Sequence, residues 1–208
     1  MNFSRVALLI LVCFFLFPEK VPALQVNDSL RMDGFILQGF LITDHHQYQS
    51  TSPNGSFNFN SFDLVLKAEV NDRFRIWSKL YSSNEITDVI TLEWAFGEYY
   101  FNDLAMLRMG KMKMPVGIYN EIRHVYPVLP IIFEPMFYDE PNRFVPVHFK
   151  GVSLTGSNEA GPSHISYDLF AGSTGGDYDA PANSGVDDLF GARLWMSPEF
   201  LNLKIGFS

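Results

Sequence analysis

The sequence predicts an all-β protein, an antiparallel transmembrane β-barrel, on three observations. Apolar and polar residues alternate with period two in segment after segment, while helical periodicity is scarce. Aromatic residues make up 15% of the 208-residue chain, and 20 of its residues are Phe, a usage that favours strands. The links between the alternating segments are short at one end and long at the other, which is the plan of an outer-membrane barrel.

The first 23 residues read as a signal peptide that precedes a β-barrel domain over 24–208. Arg5 supplies a positive charge, Val6 to Phe17 is unbroken apolar sequence, and Val21-Pro22-Ala23 offers small or branched residues for cleavage. That run is short for a spanning helix, and no later window reaches the ~18 consecutive apolar residues one needs. Cys13, the single cysteine, lies in this segment, so residues 24–208 carry no disulfide framework and no thiolate chemistry. The formal net charge is −8, and loss of Arg5, Glu19 and Lys20 makes it one unit more negative. That balance argues against nucleic acid as a partner.

About nine strands follow. They are expected at 31–43, 58–70, 73–81, 89–101, 104–114, 149–157, 163–172, 187–197 and 201–208. In the second, Phe62, Leu64, Leu66, Ala68 and Val70 alternate with Asp63, Val65, Lys67 and Glu69. In the third, Phe74, Ile76 and Leu80 alternate with Arg73, Arg75, Trp77 and Lys79. The fourth sets Ile90, Leu92, Trp94 and Phe96 against Thr91, Glu93 and Ala95; the fifth sets Ala105, Leu107 and Met109 against Met106, Arg108 and Gly110. Ile165, Tyr167 and Leu169 alternate with Ser166 and Asp168, and Phe190, Ala192, Leu194 and Met196 with Gly191 and Arg193. The last alternates Leu201, Leu203, Ile205 and Phe207 with Asn202, Lys204 and Gly206.

Strands with one apolar and one polar face suit two architectures. A soluble, exported β-sandwich that binds carbohydrate or an envelope component would bury the apolar face against a second sheet. A membrane barrel turns that face to lipid. The links favour the barrel: 71–72, 102–103, 158–162 and 198–200 are short, whereas 44–57, 82–88, 115–148 and 173–186 are long. Several strands also reach the length a tilted bilayer crossing needs, longer than usual in sandwiches. The odd strand count, with a strand running to the last residue, predicts a chain truncated at its C-terminus. The nine strands would be the N-terminal portion of a barrel of about 16 to 18 strands.

The stretch "RMGKMKMPVGIYNE" raises a question about its cations. Pro115 lacks a ladder donor and should end the strand, and Gly117 permits the turn that follows. Arg108 falls on the polar parity, while Lys111 and Lys113 fall on the apolar one and would snorkel from near the rim. A long link rich in proline then runs from Pro115 to His148.

Arg108, Gly110, Lys111, Pro115, Gly117, Tyr119, Asn120 and Glu121 resemble a motif of the Gram-negative outer-membrane porin family related to phosphate-selective porins. Gly34, Phe35 and Asp44 in "DGFILQGFLITD" resemble that family's first strand, and Gly151 to Gly172 is similar as well. The resemblance implies a water-filled barrel in the bacterial outer membrane, open to small hydrophilic solutes or ions, embedded in outer-membrane lipid and assembled as a homotrimer. It implies passive diffusion, with no enzymatic step, no cofactor and no metal. It also implies that the third long loop narrows the pore, with Glu121, Arg123, Glu134, Asp139, Glu140 and Arg143 as its charged candidates.

On the polar parity, Lys67, Arg73, Arg75, Lys79, Arg108, Arg193 and Lys204 are the pore-lining cations, opposed by Asp63, Glu69, Glu93 and Asp168. Lys67, Arg75, Lys79 and Arg108 would form a ladder with a weak anion preference, or else pair with the acids across strands. Tyr81, Trp94, Phe96, Tyr99, Tyr100 and Phe101 would form aromatic girdles at the membrane interface. His45-His46 lacks further ligands at metal spacing. Glu93, Glu98 and Asp168 are available for glycoside hydrolysis, but no spacing pairs them across a cleft.

Overall fold

The structure is a computed structural model that describes residues 24–42, 54–83, 87–117, 120–125, 128, 146–174, 186–198 and 205–208. Ten strands follow in order: β1 (Leu24–Asn27), β2 (Leu30–Leu41), β3 (Ser56–Asn71), β4 (Phe74–Ser83), β5 (Thr87–Asn102), β6 (Ala105–Lys113), β7 (His148–Glu159), β8 (Ser163–Ser173), β9 (Leu189–Pro198) and β10 (Ile205–Phe207). Each pairs antiparallel with the next in sequence, giving one ten-stranded meander with β1 and β10 at its edges. The described residues contain no α-helix.

Every expected strand has a counterpart, and β1 was not expected. One link differs from the expectation. The 82–88 link shrinks to 84–86, because β4 and β5 pair out to Ser83 and Thr87. β9 runs through Pro198 and β10 starts at Ile205; residues 199–204, with most of the expected 198–200 turn, lie outside the described residues. The tight turns are held as their residue types suggest. The Asn71 carboxamide oxygen accepts from the backbone of Arg73 and Phe74, both at 2.9 Å, and the Asn102 oxygen accepts from Leu104 N at 3.0 Å.

The two faces of the sheet are unlike. One carries Ile36, Ile76, Met109, Leu169, Phe190 and Leu194, and these are exposed, Ile36 at 80% and Phe190 at 85%. The other carries the charges, and several of these are buried: Asp63 is 1% exposed, Lys79 2% and Glu93 4%. This inverts a water-soluble protein, in which buried charge is rare and apolar faces are covered.

The charged face is covered at one end by the chain leaving β6. Met114 N donates to Val147 O at 2.9 Å, so the two sides of the long link stay joined just beyond β6 and β7. Pro115 ends the strand as expected, Val116 N bonds back to Met114 O at 2.8 Å, and Gly117 turns at φ 65°. Beneath them Met112, Met114, Phe149 and Phe170 form a small apolar core.

Three glycines lie side by side across β6, β7 and β8: Gly110 pairs with Gly151, and Gly151 with Gly172. A Cβ on Gly151 would strike Ala171 O and come within 2.6 Å of the Gly172 Cα; one on Gly172 would strike Lys150 O. Gly110 sits at φ 141°, a conformation that side chains avoid. The row is a crease where three strands approach more closely than any side chain permits.

Candidate functional site: the charged face and the loop folded on it

Register decides which side chains meet. Along β4 the pairing sets Lys79 opposite Trp94 but Leu80 opposite Leu92, so Glu93 is an extra residue in β5. Such a bulge places Glu93 and Trp94 on the same side and reverses the parity of everything after it. Trp94, Phe96 and Glu98 therefore share the charged face with Lys79, Trp77 and Arg75. Alternation alone had put Trp94 and Phe96 on the apolar side.

Glu93 is the hub of a buried ion cluster. Its Oε2 lies 2.7 Å from Lys79 Nζ, and its Oε1 is paired with Lys113 Nζ and lies 2.9 Å from His124 Nδ1. Lys79 also pairs with Asp63 on β3. His148 Nε2 stands 3.9 Å from Glu93. Burying so many charges is tolerable only because each faces an opposite charge.

The loop after β6 closes this cluster. Lys79 and Lys113 donate to the carbonyls of His124 and Arg123 at 3.4 and 3.3 Å. The His124 ring stacks on Tyr81, with centroids 4.8 Å apart and planes 7° from parallel. Its backbone holds φ at 64°, a left-handed conformation rare for a side-chain-bearing residue. Asn120 Nδ2 donates to Met114 O at 2.8 Å, and Glu121 pairs with Arg193 on β9, whose guanidinium also holds Asp168 Oδ2 at 2.7 to 2.9 Å. Burial pushes the His124 imidazole down to about 4; Lys113 acts in the same direction and Glu93 against it.

A second network runs beside the first. Glu98 accepts from Arg108 Nε at 2.8 Å and stands 3.9 Å from Arg75, which lies 3.9 Å from Glu69; Glu69 in turn takes Lys67 at 2.6 Å. Between the networks is a cavity of about 170 Å³, lined by Trp94, Phe96, Arg108, Met112, Lys113, Pro115, Glu121, Phe149, Ser153 and Asp168.

Of the expected cations, Lys67, Arg75, Lys79, Arg108 and Arg193 share the charged face, each paired with an acid. Arg73 does not join them: it lies in the turn between β3 and β4 and is exposed. Lys204, Glu134, Asp139, Glu140 and Arg143 lie outside the described residues, whereas Glu121 and Arg123 belong to the loop on the charged face. Lys111 is on the apolar side, where its Nζ donates to Leu92 O at 3.2 Å. Lys113 corrects the expectation, since its ammonium is buried against Glu93 instead of reaching a surface. Tyr81 is buried beneath His124 and is no interfacial girdle residue. Sequence reasoning missed Lys113, His124, Asn120 and His148 as parts of the site. Only the succession of Pro115, Gly117 and Asn120, which turns the chain back, signalled them.

The protein is thus an antiparallel all-β sheet with a charged, loop-covered face. Comparison with protein-family models, curated proteins and solved structures finds no match for this chain.

Proposed function

We propose that this sheet is part of the wall of an outer-membrane β-barrel porin, through which small hydrophilic solutes diffuse passively. The observation that carries the reading is the inverted sheet, with apolar side chains exposed on one face and ion-paired charges buried on the other. Lipid is the solvent that makes an exposed row such as Ile36, Ile76, Met109 and Phe190 favourable. The strands suit the role: β3 and β5 have 16 residues each and β7 has 12, enough to cross a bilayer at a tilt.

In this reading the edges β1 and β10 pair with further strands of a closed barrel of about 16 to 18 strands, since an open edge is costly in lipid. The loop over the charged face narrows the pore. The protein is exported by its signal peptide to the bacterial outer membrane, and the homotrimer belongs to the same proposal. The β-sandwich alternative needs a second sheet over the apolar face, and the described residues form one sheet. The paired cations favour weak ion selectivity over a strong anion preference. Glu93, Glu98 and Asp168, each engaged by a cation, fit a supporting role better than a catalytic one.

The test is conductance across a planar bilayer under a salt gradient, with the refolded protein. Discrete current steps with a small reversal potential are expected. A protein that stays monodisperse without detergent and opens no channels would sink the reading.

A further inference from the structure

We propose that the cavity beside Arg108 binds a small zwitterion with an apolar body, such as a free α-amino acid with an aliphatic or aromatic side chain. The proposal rests on the pore reading for the solute's access, and on the cavity for everything else.

The size fits. A cavity of about 150 Å³ accommodates a benzene ring, and this one measures about 170 Å³. The walls are mixed in a particular way. Trp94, Phe96, Met112 and Phe149 supply apolar surface, with the Trp94 and Phe96 rings 5.6 Å apart. Arg108 supplies a held cation: Glu98 fixes its Nε at 2.8 Å, and its guanidinium carbon lies 5.5 Å from the Phe96 ring centre. The two terminal amino groups of Arg108 have no partner among the described residues, which leaves the fork that takes a carboxylate. Glu121 supplies the acid: its Oε2 accepts from Arg193, and its Oε1 has no partner among the described residues.

Charge then selects the ligand class. A simple anion meets Glu121, Asp168 and the nearby Glu98; a simple cation meets Arg108 and Lys113. A molecule carrying both charges is matched at both ends, while its side chain lies against the aromatic wall. Binding should be weak, because a solute that crosses a pore must also leave it.

Calorimetric titration of the full chain, refolded in detergent, tests this with three probes of one shape: L-leucine, leucinamide without the carboxylate, and 4-methylpentanoate without the ammonium. L-leucine should bind at least about tenfold more tightly than either. Arg108→Gln should remove the advantage of leucine over leucinamide without weakening leucinamide, since it also takes away a cation that repels that probe. Glu121→Gln should lower leucine to the level of 4-methylpentanoate, and serves as the second variant if the first does not fold. Equal binding of all three probes, or no binding of leucine by protein with a native β-sheet spectrum, overturns the site. Conductance of the same preparation separates the two readings. Channels without leucine binding overturn the site and keep the pore, whereas selective binding without channels keeps the site and overturns the pore.

Discussion

At the scale of single residues, Glu93 and His124 set the state of the loop. Glu93 gathers Lys79, Lys113 and His124 around one carboxylate, so the loop is tied to β4, β5 and β6 through a single side chain. His124 is held neutral there, its pKa lowered from 6.5 to about 4. The groups around it are Glu93 on β5, Lys79 and Tyr81 on β4, Lys113 on β6, His148 on β7 and Arg123 beside it. A base whose folded pKa is lowered takes up its proton more readily once released. The docked loop is therefore fully favoured above about pH 6.5 and loses that advantage as pH falls towards 4, by about 3 kcal/mol in all. Limited proteolysis should cut the loop faster at pH 4.5 than at pH 7.5, and His124→Phe should flatten that dependence while keeping the stack on Tyr81. An unchanged pH profile in the variant would remove His124 as the cause.

At the scale of elements, the glycine row decides how β6, β7 and β8 approach. Gly151→Ala places a methyl group against Ala171 O and the Gly172 Cα. Neither is the movable end of a side chain, so the strands themselves must part. A loss of about 1 to 3 kcal/mol is expected, read as a lower urea midpoint for the detergent-refolded protein. Gly161→Ala is the contrast for space, since nothing lies within 4 Å of a Cβ there, although its φ of 63° still strains the chain. Equal losses in the two variants would show that backbone conformation, and not close approach, is what matters. Element positions were legible in the sequence because period-two alternation reports burial directly. Within β5, faces were legible only up to the Glu93 bulge. One extra residue shifts which side chains meet without changing the alternation that announces a strand, so alternation puts Trp94 and Phe96 on the wrong side.

At the scale of the whole molecule, the three tryptophans report the orientation of the sheet. Trp77, Trp94 and Trp195 all lie on the charged face: Trp77 pairs with Lys67 and Phe96, and the Arg193 guanidinium lies 5.9 Å from the Trp195 ring centre. In vesicles of brominated lipid their fluorescence should be quenched weakly. Phe190→Trp, which adds an indole to the most exposed apolar position, should be quenched strongly. Strong quenching of the unaltered protein would mean that lipid meets the charged face, and would reverse the assignment of inside and outside.

The sequence by itself determined the all-β class, the strand positions and the presence of one apolar and one charged face, because these follow from local alternation and from turn residues such as Asn71, Asn102 and Pro115. It could not determine that Lys113 turns inward to Glu93, that Glu121 reaches Arg193 across β7 and β8, or that Arg108 stands over Phe96 at the wall of a cavity. Those pairings join residues far apart in the chain, and they depend on one bulge, one crease of glycines and one loop folded back. Only the tertiary structure decides them, because register and loop docking are set by contacts between strands rather than within them.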